Sequence, residues 1–418
     1  MLGNYLKIAV KVLLRRKFFT FISLFGISVS LLVLLVTAAL LDHVFAPHAP
    51  EVRSDRTLGM YMISMQGPHA SGNSQPGYGF LDRWVRPMAG MAEVETVSIF
   101  RGAQRRLSYV DGRRIESYLK QTDGEFWRVY SFDFLEGGPF LPDDEKNARA
   151  VAVINETTRQ RFFGGAPAVG RGLTVDGQRF RVVGVVKDVP FLRFLSFSDI
   201  WVPTSTSRSQ AYRTDWRGDF QAVLLARDRS GFPAIKRELA ARLRQAEKQM
   251  PERDLFDHIY GGADTLFEAT ARALLSDGMR ETHPEKLLAL MLTGMAFFLL
   301  LPTLNLVNIN LSRILERSSE IGVRKAFGAS SGALIGQLVI ENVVLTLIGG
   351  AIGLVLAAAV LAGINASGLV PYAQFALNFR IFLQGLGIAL FFGLLSGIYP
   401  AWRMSKLRPV QALQGRPM

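Results

Sequence analysis

The side chains best able to do chemistry are few and scattered. The five histidines are His43, His48, His69, His258 and His283. No two share the i, i+4 spacing that presents two imidazoles to one metal ion from a helix face. The chain has no cysteine, which removes disulfides, thiolate metal sites and cysteine nucleophiles together. Asp254, Asp257 and His258 cluster, but on a polar segment such a group reads as a solvated face. Gly165 to Gly170, followed by Arg171, has the outline of a phosphate-binding loop. It lacks the Lys-Ser/Thr pair that holds phosphate and Mg²⁺, so a glycine turn between elements is the simpler reading. These residues point to a chain with no catalytic, cofactor or metal site of its own.

The elements around them are dominated by apolar runs. Hydrophobic residues make up 49% of the 418-residue chain, high for a water-soluble protein. Four stretches are apolar enough to span a bilayer: 20–41, 287–311, 334–363 and 381–401. At 1.5 Å per residue, 20–41 extends roughly 33 Å, enough for a hydrocarbon core of about 30 Å. Glu341 alone among acids interrupts a span. An acid at such a depth is costly and calls for a role. It lies about two turns into its span, near the inner headgroups, with Gln337 one turn earlier and Asn305 or Asn308 as expected partners. A structural or coupling role fits this position better than a proton path.

The net charge of +13 is concentrated on three segments. Lys7, Lys11, Arg15, Arg16 and Lys17 precede the first span. Arg313, Arg317, Arg324 and Lys325, against Glu316 and Glu320, lie in the loop 312–333. Arg403, Lys406, Arg408 and Arg416 follow the last span. Positive-inside reasoning places all three in the cytoplasm, and both termini with them. Topology and attraction to lipid headgroups then account for the basic balance, and nucleic acid is not an expected partner. Residues 1–19 include an amphipathic helix over 5–17, with Leu6, Val10, Leu13 and Leu14 on one side. Residues 402–418 form a cytoplasmic tail.

Residues 42–286 must then form an extracytoplasmic domain, ample for its own core. Strands are expected at 96–100, 151–154 and 180–186, with hairpin turns at Asp111-Gly112 and Asp176-Gly177. A helix is expected over 233–250, with Ile235, Leu239 and Leu243 on one face. The polar, glycine-rich stretch 67–79 reads as a mobile loop. The fold class is therefore an α-helical membrane protein of four transmembrane helices with a large α+β extracytoplasmic domain between helices 1 and 2. That domain is expected to be joined to helices 1 and 2 alone, with 364–380 a short external link between helices 3 and 4.

The loop 312–333 contains Glu316-Arg-Ser-Ser-Glu320-Ile321-Gly322-Val323-Arg324-Lys325-Ala-Phe327-Gly328. Gly393-Leu-Leu-Ser-Gly-Ile-Tyr-Pro400-Ala-Trp-Arg and Leu407-Arg-Pro409 close the chain, and Asn4-Tyr-Leu-Lys7 opens it. Val151-Ala-Val-Ile-Asn155, Phe163-Gly-Gly165 and Val183-Gly-Val-Val-Lys-Asp188 fall in the external domain. Together these resemble the MacB/FtsX-like permease family, the mechanotransmitting class of ABC transporters. The resemblance covers most of the chain and is weakest over 205–285.

It implies a permease of the bacterial inner membrane that works as a homodimer or with a paralogous protomer, among membrane lipids. A separate cytoplasmic ATPase chain would carry ATP and Mg²⁺ and dock on Glu316, Glu320, Ile321, Gly322, Val323, Arg324, Lys325, Phe327 and Gly328. ATP-driven motion would be relayed to the external domain for export or release of a substrate, with an extracytoplasmic adaptor as a further partner. The alternative is an FtsX-like signal relay controlling an extracytoplasmic hydrolase. An amphipathic cytoplasmic segment with apolar and basic groups suits docking in a groove of a soluble partner. Gly349 and Gly353, and Gly393 and Gly397, form small-xxx-small pairs that pack either the bundle or a dimer.

Overall fold

The computed structural model describes residues 11, 13–15, 17–110, 113–251, 253–276, 279–298, 300 and 331–405. Two compact units result. One gathers the apolar helices of Met1–Asp42, Ala289–Ser367 and Phe375–Met418; the other is His43–Leu288 together with Gly368–Gln374.

Helix α1 (Lys17–Phe45) is followed by β1 (Thr57–Met60), β2 (Ile63–Gln66), β3 (Ser71–Pro76), α2 (Tyr78–Trp84), β4 (Val94–Arg101) and β5 (Gln104–Val110). Next come β6 (Arg113–Thr122), α3 (Phe126–Val129), β7 (Phe134–Gly137), α4 (Pro142–Lys146), β8 (Val151–Asn155), α5 (Glu156–Phe163), β9 (Gly172–Val175) and β10 (Gln178–Val186). Then β11 (Ile200–Pro203), β12 (Arg217–Gly218), β13 (Phe220–Ala226), α6 (Phe232–Glu247), β14 (His258–Tyr260) and α7 (Leu266–Leu275) complete the external part. Among the described residues, α8 (284–298), α9 (Ser331–Ser367) and α10 (Phe379–Ser405) follow.

The extracytoplasmic unit is built on a ten-stranded mixed sheet ordered β1-β13-β4-β6-β11-β8-β10-β7, with β5 beside β6 and β9 beside β10. Its central strands are buried on both faces. In β13, Leu224 enters the cluster under α2 and α6, while its neighbours Val223 and Leu225 enter the opposite cluster around Phe126 and Trp201. Successive strand residues point to opposite faces, so the continuous apolar run Phe220–Ala226 is what a covered strand requires. Helix α6 buries Ile235, Leu239, Leu243 and Ala246 on the predicted stripe. Truncating one such leucine to alanine costs about 2–5 kcal/mol.

Strands pair on both sides of the two Asp-Gly positions, the residues Asp111 and Gly112 themselves lying outside the described ones. Val110 pairs with Arg113 across the first. At the second, Asp176 and Gly177 have φ of 51° and 71°, the positive pair that a type I′ turn needs. Residues 67–79 do not form a mobile loop. β3 lies between β2 and β12 in a four-stranded sheet ordered β12-β3-β2-β14. The ladder is made of backbone groups, which every residue carries, so a polar run without hydrophobic alternation can join it. Gly77 then starts α2 where a Cβ would meet the Asp215 carbonyl oxygen at 2.1 Å.

In the helical unit, Ser23, Ile27, Leu31, Leu35 and Ala39 recur every fourth residue of α1 and are buried. The Ser28 hydroxyl donates to the Gly349 carbonyl of α9 at 3.0 Å. A Cβ on Gly349 would lie 2.8 Å from the Ile27 side chain, and one on Gly353 3.0 Å from the Ser28 carbonyl. This small pair therefore packs α9 on α1, one of the two uses open at the sequence level. Leu35, Ala357 and Phe382 bring in α10, on which Gly393 and Gly397 also lie.

Among the described residues, α1 and Val339–Ser367 of α9 are long and apolar enough to cross a membrane, and Phe379–Phe391 of α10 is a shorter apolar stretch. The stretch expected at 287–311 is described only through 298 and at 300, where it is helical. Leu13 joins the buried cluster of Ile27, Leu31 and Leu345, while residues 1–10 of the expected amphipathic helix lie outside the described residues.

Candidate coupling site

The expected docking residues Glu316, Glu320, Ile321, Gly322, Val323, Arg324, Lys325, Phe327 and Gly328 lie outside the described residues, as do Asn305 and Asn308. Glu341 is described. It is buried in α9, and Gln337 Nε2 donates to its Oε1 at 3.1 Å from one turn earlier. Asp254, Asp257 and His258 are exposed, and the nearest acid to His258 is Glu247 at 3.6 Å. Among the described residues no three His, Asp or Glu side chains form a set able to hold a metal ion. Gly164, Gly165 and Gly170 all take positive φ, as turns after α5.

The densest buried polar chemistry lies elsewhere, around the segment 187–199 between β10 and β11. Its run Pro190-Phe-Leu-Arg193-Phe-Leu-Ser196-Phe encloses one charge in apolar residues. Arg193, 2% exposed, turns inward to Glu51, 5% exposed, with Nη1 3.3 Å from Oε2. Ser196 donates to Glu51 Oε1 from its amide at 3.2 Å and its hydroxyl at 2.7 Å. Glu51 belongs to the strap that leaves α1. The Glu51 carboxylate is therefore hydrogen-bonded as well as charge-paired, while the Arg193 guanidinium is held through Nη1, with Nε and Nη2 buried and without a hydrogen-bond partner among the described residues.

Lys120 of β6 is fully buried beside it. Its Nζ donates to the carbonyls of Phe194 at 3.1 Å and Leu195 at 2.8 Å, and lies 5.0 Å from the Phe100 ring centroid. Burial pushes its pKa down to about 7, and the Glu51 charge opposes the shift. The carbonyls bind the ammonium from one side while the apolar surroundings disfavour it.

The far end of the same segment holds the link between α9 and α10. Phe191 N–H donates to the Pro371 carbonyl at 3.0 Å. The Tyr372 hydroxyl donates to Asp199 Oδ1 at 2.8 Å, and Asp199 also accepts from Asn155 Nδ2 at 3.1 Å and from the Tyr118 amide at 2.7 Å. Burial raises the Asp199 pKa and these donors oppose it. Tyr372 takes φ of 57°, a left-handed conformation that costs a non-glycine residue of order 1–3 kcal/mol. The docked ring and hydroxyl hold it there. The expectation that the external domain is joined to helices 1 and 2 alone is thus corrected. Gly368–Gln374 is part of the same compact unit, because its tyrosine reaches a buried carboxylate.

A third tie secures the stretch before α8. Arg272 of α7 pairs with Asp264 at 2.6 and 2.9 Å and donates to the Met279 carbonyl at 3.0 Å. Asp264 and Gly59 exchange backbone hydrogen bonds at 2.7 and 2.9 Å. Phe45, just after the membrane part of α1, meets Phe267 edge-on at 5.5 Å between centroids. A cavity of about 350 Å³ opens among Phe45, Glu51, Tyr61, Tyr130, Leu195 and Leu266. The chain segments that run toward the apolar helices are therefore all tied inside one unit by buried charges. Such an arrangement joins the three segments through buried polar groups.

Sequence reasoning did not single out Glu51, Lys120, Arg193 or Asp199. The available signal was a lone charge inside an apolar run, which Arg193 displays and Lys120 shows only in part.

Residues 20–242 match the MacB-like periplasmic core domain, and residues 292–409 the FtsX-like permease C-terminal domain. The pyoverdine export ATP-binding/permease protein PvdT of Pseudomonas syringae pv. syringae is 28% identical over 85% of this chain and 51% of its own length. The uncharacterized ABC transporter permease YknZ of Bacillus subtilis is 24% identical over 85% of this chain and 84% of its own. The chain thus spans about half the length of the pyoverdine-export relatives it matches. The crystal structure of the periplasmic region of MacB from Actinobacillus actinomycetemcomitans aligns with a TM-score of 0.36 at 16% identity, over 50% of this chain and 91% of that one.

Proposed function

The chain belongs to the MacB/FtsX-like permeases, and from that premise we propose that it is the membrane permease subunit of an ABC exporter that passes ATP-driven motion to its extracytoplasmic domain. The observation carrying this reading is the order of the two family domains around apolar helices whose external unit is tied to their connecting segments by buried ion pairs and hydrogen bonds. Four helices cross the inner membrane, with both termini and the loop 312–333 in the cytoplasm. A separate ATPase carrying ATP and Mg²⁺ docks on that loop through Glu316, Glu320, Ile321, Gly322, Val323, Arg324, Lys325, Phe327 and Gly328. Two protomers work together, with an adaptor outside the membrane.

In this cycle, closure of the ATPases shifts the helices. The strap after α1 moves Glu51 and, with it, Arg193 and the segment 187–199. The link between α9 and α10 moves the same segment from its other end through Tyr372 and Asp199. Export of a compound is favoured over control of a hydrolase because the relatives with printed functions are exporters.

The test is purification of the tagged chain from bacterial membranes in mild detergent. A P-loop ATPase should co-purify, with hydrolysis present in the complex and absent from the stripped chain. Glu320→Lys and Arg324→Glu should each reduce the amount of ATPase retained. Normal retention in both variants would remove the docking loop from the account.

A further inference from the structure

We propose that the loop 190–197 and the link 368–374 form a lipid-facing foot, with Phe191, Phe194 and Leu369 set in the outer interfacial layer of the bilayer. The inference rests on the reading that α9 and α10 cross a membrane. Helix α9 ends at Ser367 and α10 begins at Phe379, so the link between them turns at the membrane surface. Pro371 is four residues beyond the helix end, a reach of at most about 14 Å even fully extended. The Phe191 amide is fixed to the Pro371 carbonyl at 3.0 Å. The loop is therefore held within reach of the headgroups whatever the rest of the domain does.

Its side chains are turned the wrong way for water. Arg193 is 2% exposed, while Phe191 is 39%, Phe194 49% and Leu369 81% exposed. A loop in water keeps arginine outside and shelters aromatic rings. Here the guanidinium is committed to Glu51 at 3.3 Å, and the outward surface is left to two phenylalanines and a leucine. The link adds no charge anywhere between 364 and 378. Aromatic and aliphatic side chains without charges at the level of a helix end are the composition of a membrane-interface anchor. Such a foot would fix the level of the segment 187–199 against the bilayer, so that displacement of α1 or of the link is converted into movement of the domain rather than slippage.

The absence of native cysteine allows a direct test on the full chain in lipid nanodiscs. Phe194→Cys, Leu369→Cys and the distant surface variant Leu141→Cys are each labelled with a nitrobenzoxadiazole fluorophore. Nitroxide-bearing phosphatidylcholine and aqueous iodide are the two quenchers. The expected result is loss of fluorescence to the nitroxide lipid at 194 and 369, with protection from iodide, and the reverse at 141. Quenching by lipid at 369 but by iodide at 194 would overturn the foot and leave the spanning helices standing. No lipid quenching at either position would overturn both. Protection of 194 from both quenchers would mean that protein, such as a second copy, covers it, and would also overturn the proposal. Phe191→Cys repeats the measurement should Phe194→Cys fail to fold.

Discussion

Lys120 carries an ammonium into the interior, and its titration has a definite sign. An unfolded lysine titrates near about 10.4, whereas burial brings Lys120 down to about 7. Between those values the unfolded chain binds more protons than the folded one, so stability rises with pH. The cost of the buried charge is full below about 7 and is progressively relieved above it. The thermal midpoint of the chain in detergent should therefore rise between about pH 7 and pH 9, and Lys120→Met should flatten that rise. An unchanged slope in the variant would place the charge elsewhere. Tyr372 offers a second test at this scale. Tyr372→Phe keeps the ring beside Phe197, with centroids 6.4 Å apart, and removes the hydroxyl that bonds Asp199 and meets Asn155. A hydrogen bond to a charged acceptor contributes about 1.5 kcal/mol or more, so the link should open roughly tenfold more often. Faster hydrogen exchange at the Phe191 amide would register it; unchanged exchange would show that the tyrosine is not the latch.

Among the elements, the legible ones announced themselves through side-chain pattern. The apolar runs at 20–41 and 334–363 fall within α1 and α9, and Asp176-Gly177 falls at a hairpin, because lipid thickness and positive φ each demand a specific composition. β3 was not legible, because its place in the sheet depends on backbone ladders to β2 and β12 and on no hydrophobic alternation. The root of the domain was obscure for a related reason. Glu51, Lys120, Arg193, Asp199 and Tyr372 come from distant parts of the chain, and only the fold shows that they meet. The close approach of α1 and α9 was half legible, since small residues at 349 and 353 signal packing but not the partner. Gly353→Leu should force a side chain against the Ser28 carbonyl and Leu31, each 3.0 Å from the built Cβ. A loss of about 1–3 kcal/mol is expected from overpacking, seen as a lower thermal midpoint. Gly363→Leu, where nothing lies within 4 Å, should leave the midpoint nearly unchanged. Equal behaviour of the two variants would contradict the assigned packing.

For the whole molecule, the external unit takes in both the strap after α1 and the link before α10. The proposed relay needs a domain that both of these segments enter. Apart from Glu341 the expected spans carry no acid, so charged groups for a conduit are sparse along them. The most direct measurement of the relay uses the native lack of cysteine. One nitroxide is placed at Leu141→Cys, an exposed position of the external unit, in the complex with its co-purified ATPase in nanodiscs. Electron–electron distances between protomers are then recorded without nucleotide and with ATP trapped by vanadate. The account predicts two distinct distance distributions, interconverted by nucleotide. A single unchanged distribution in a complex verified to hydrolyse ATP would contradict it.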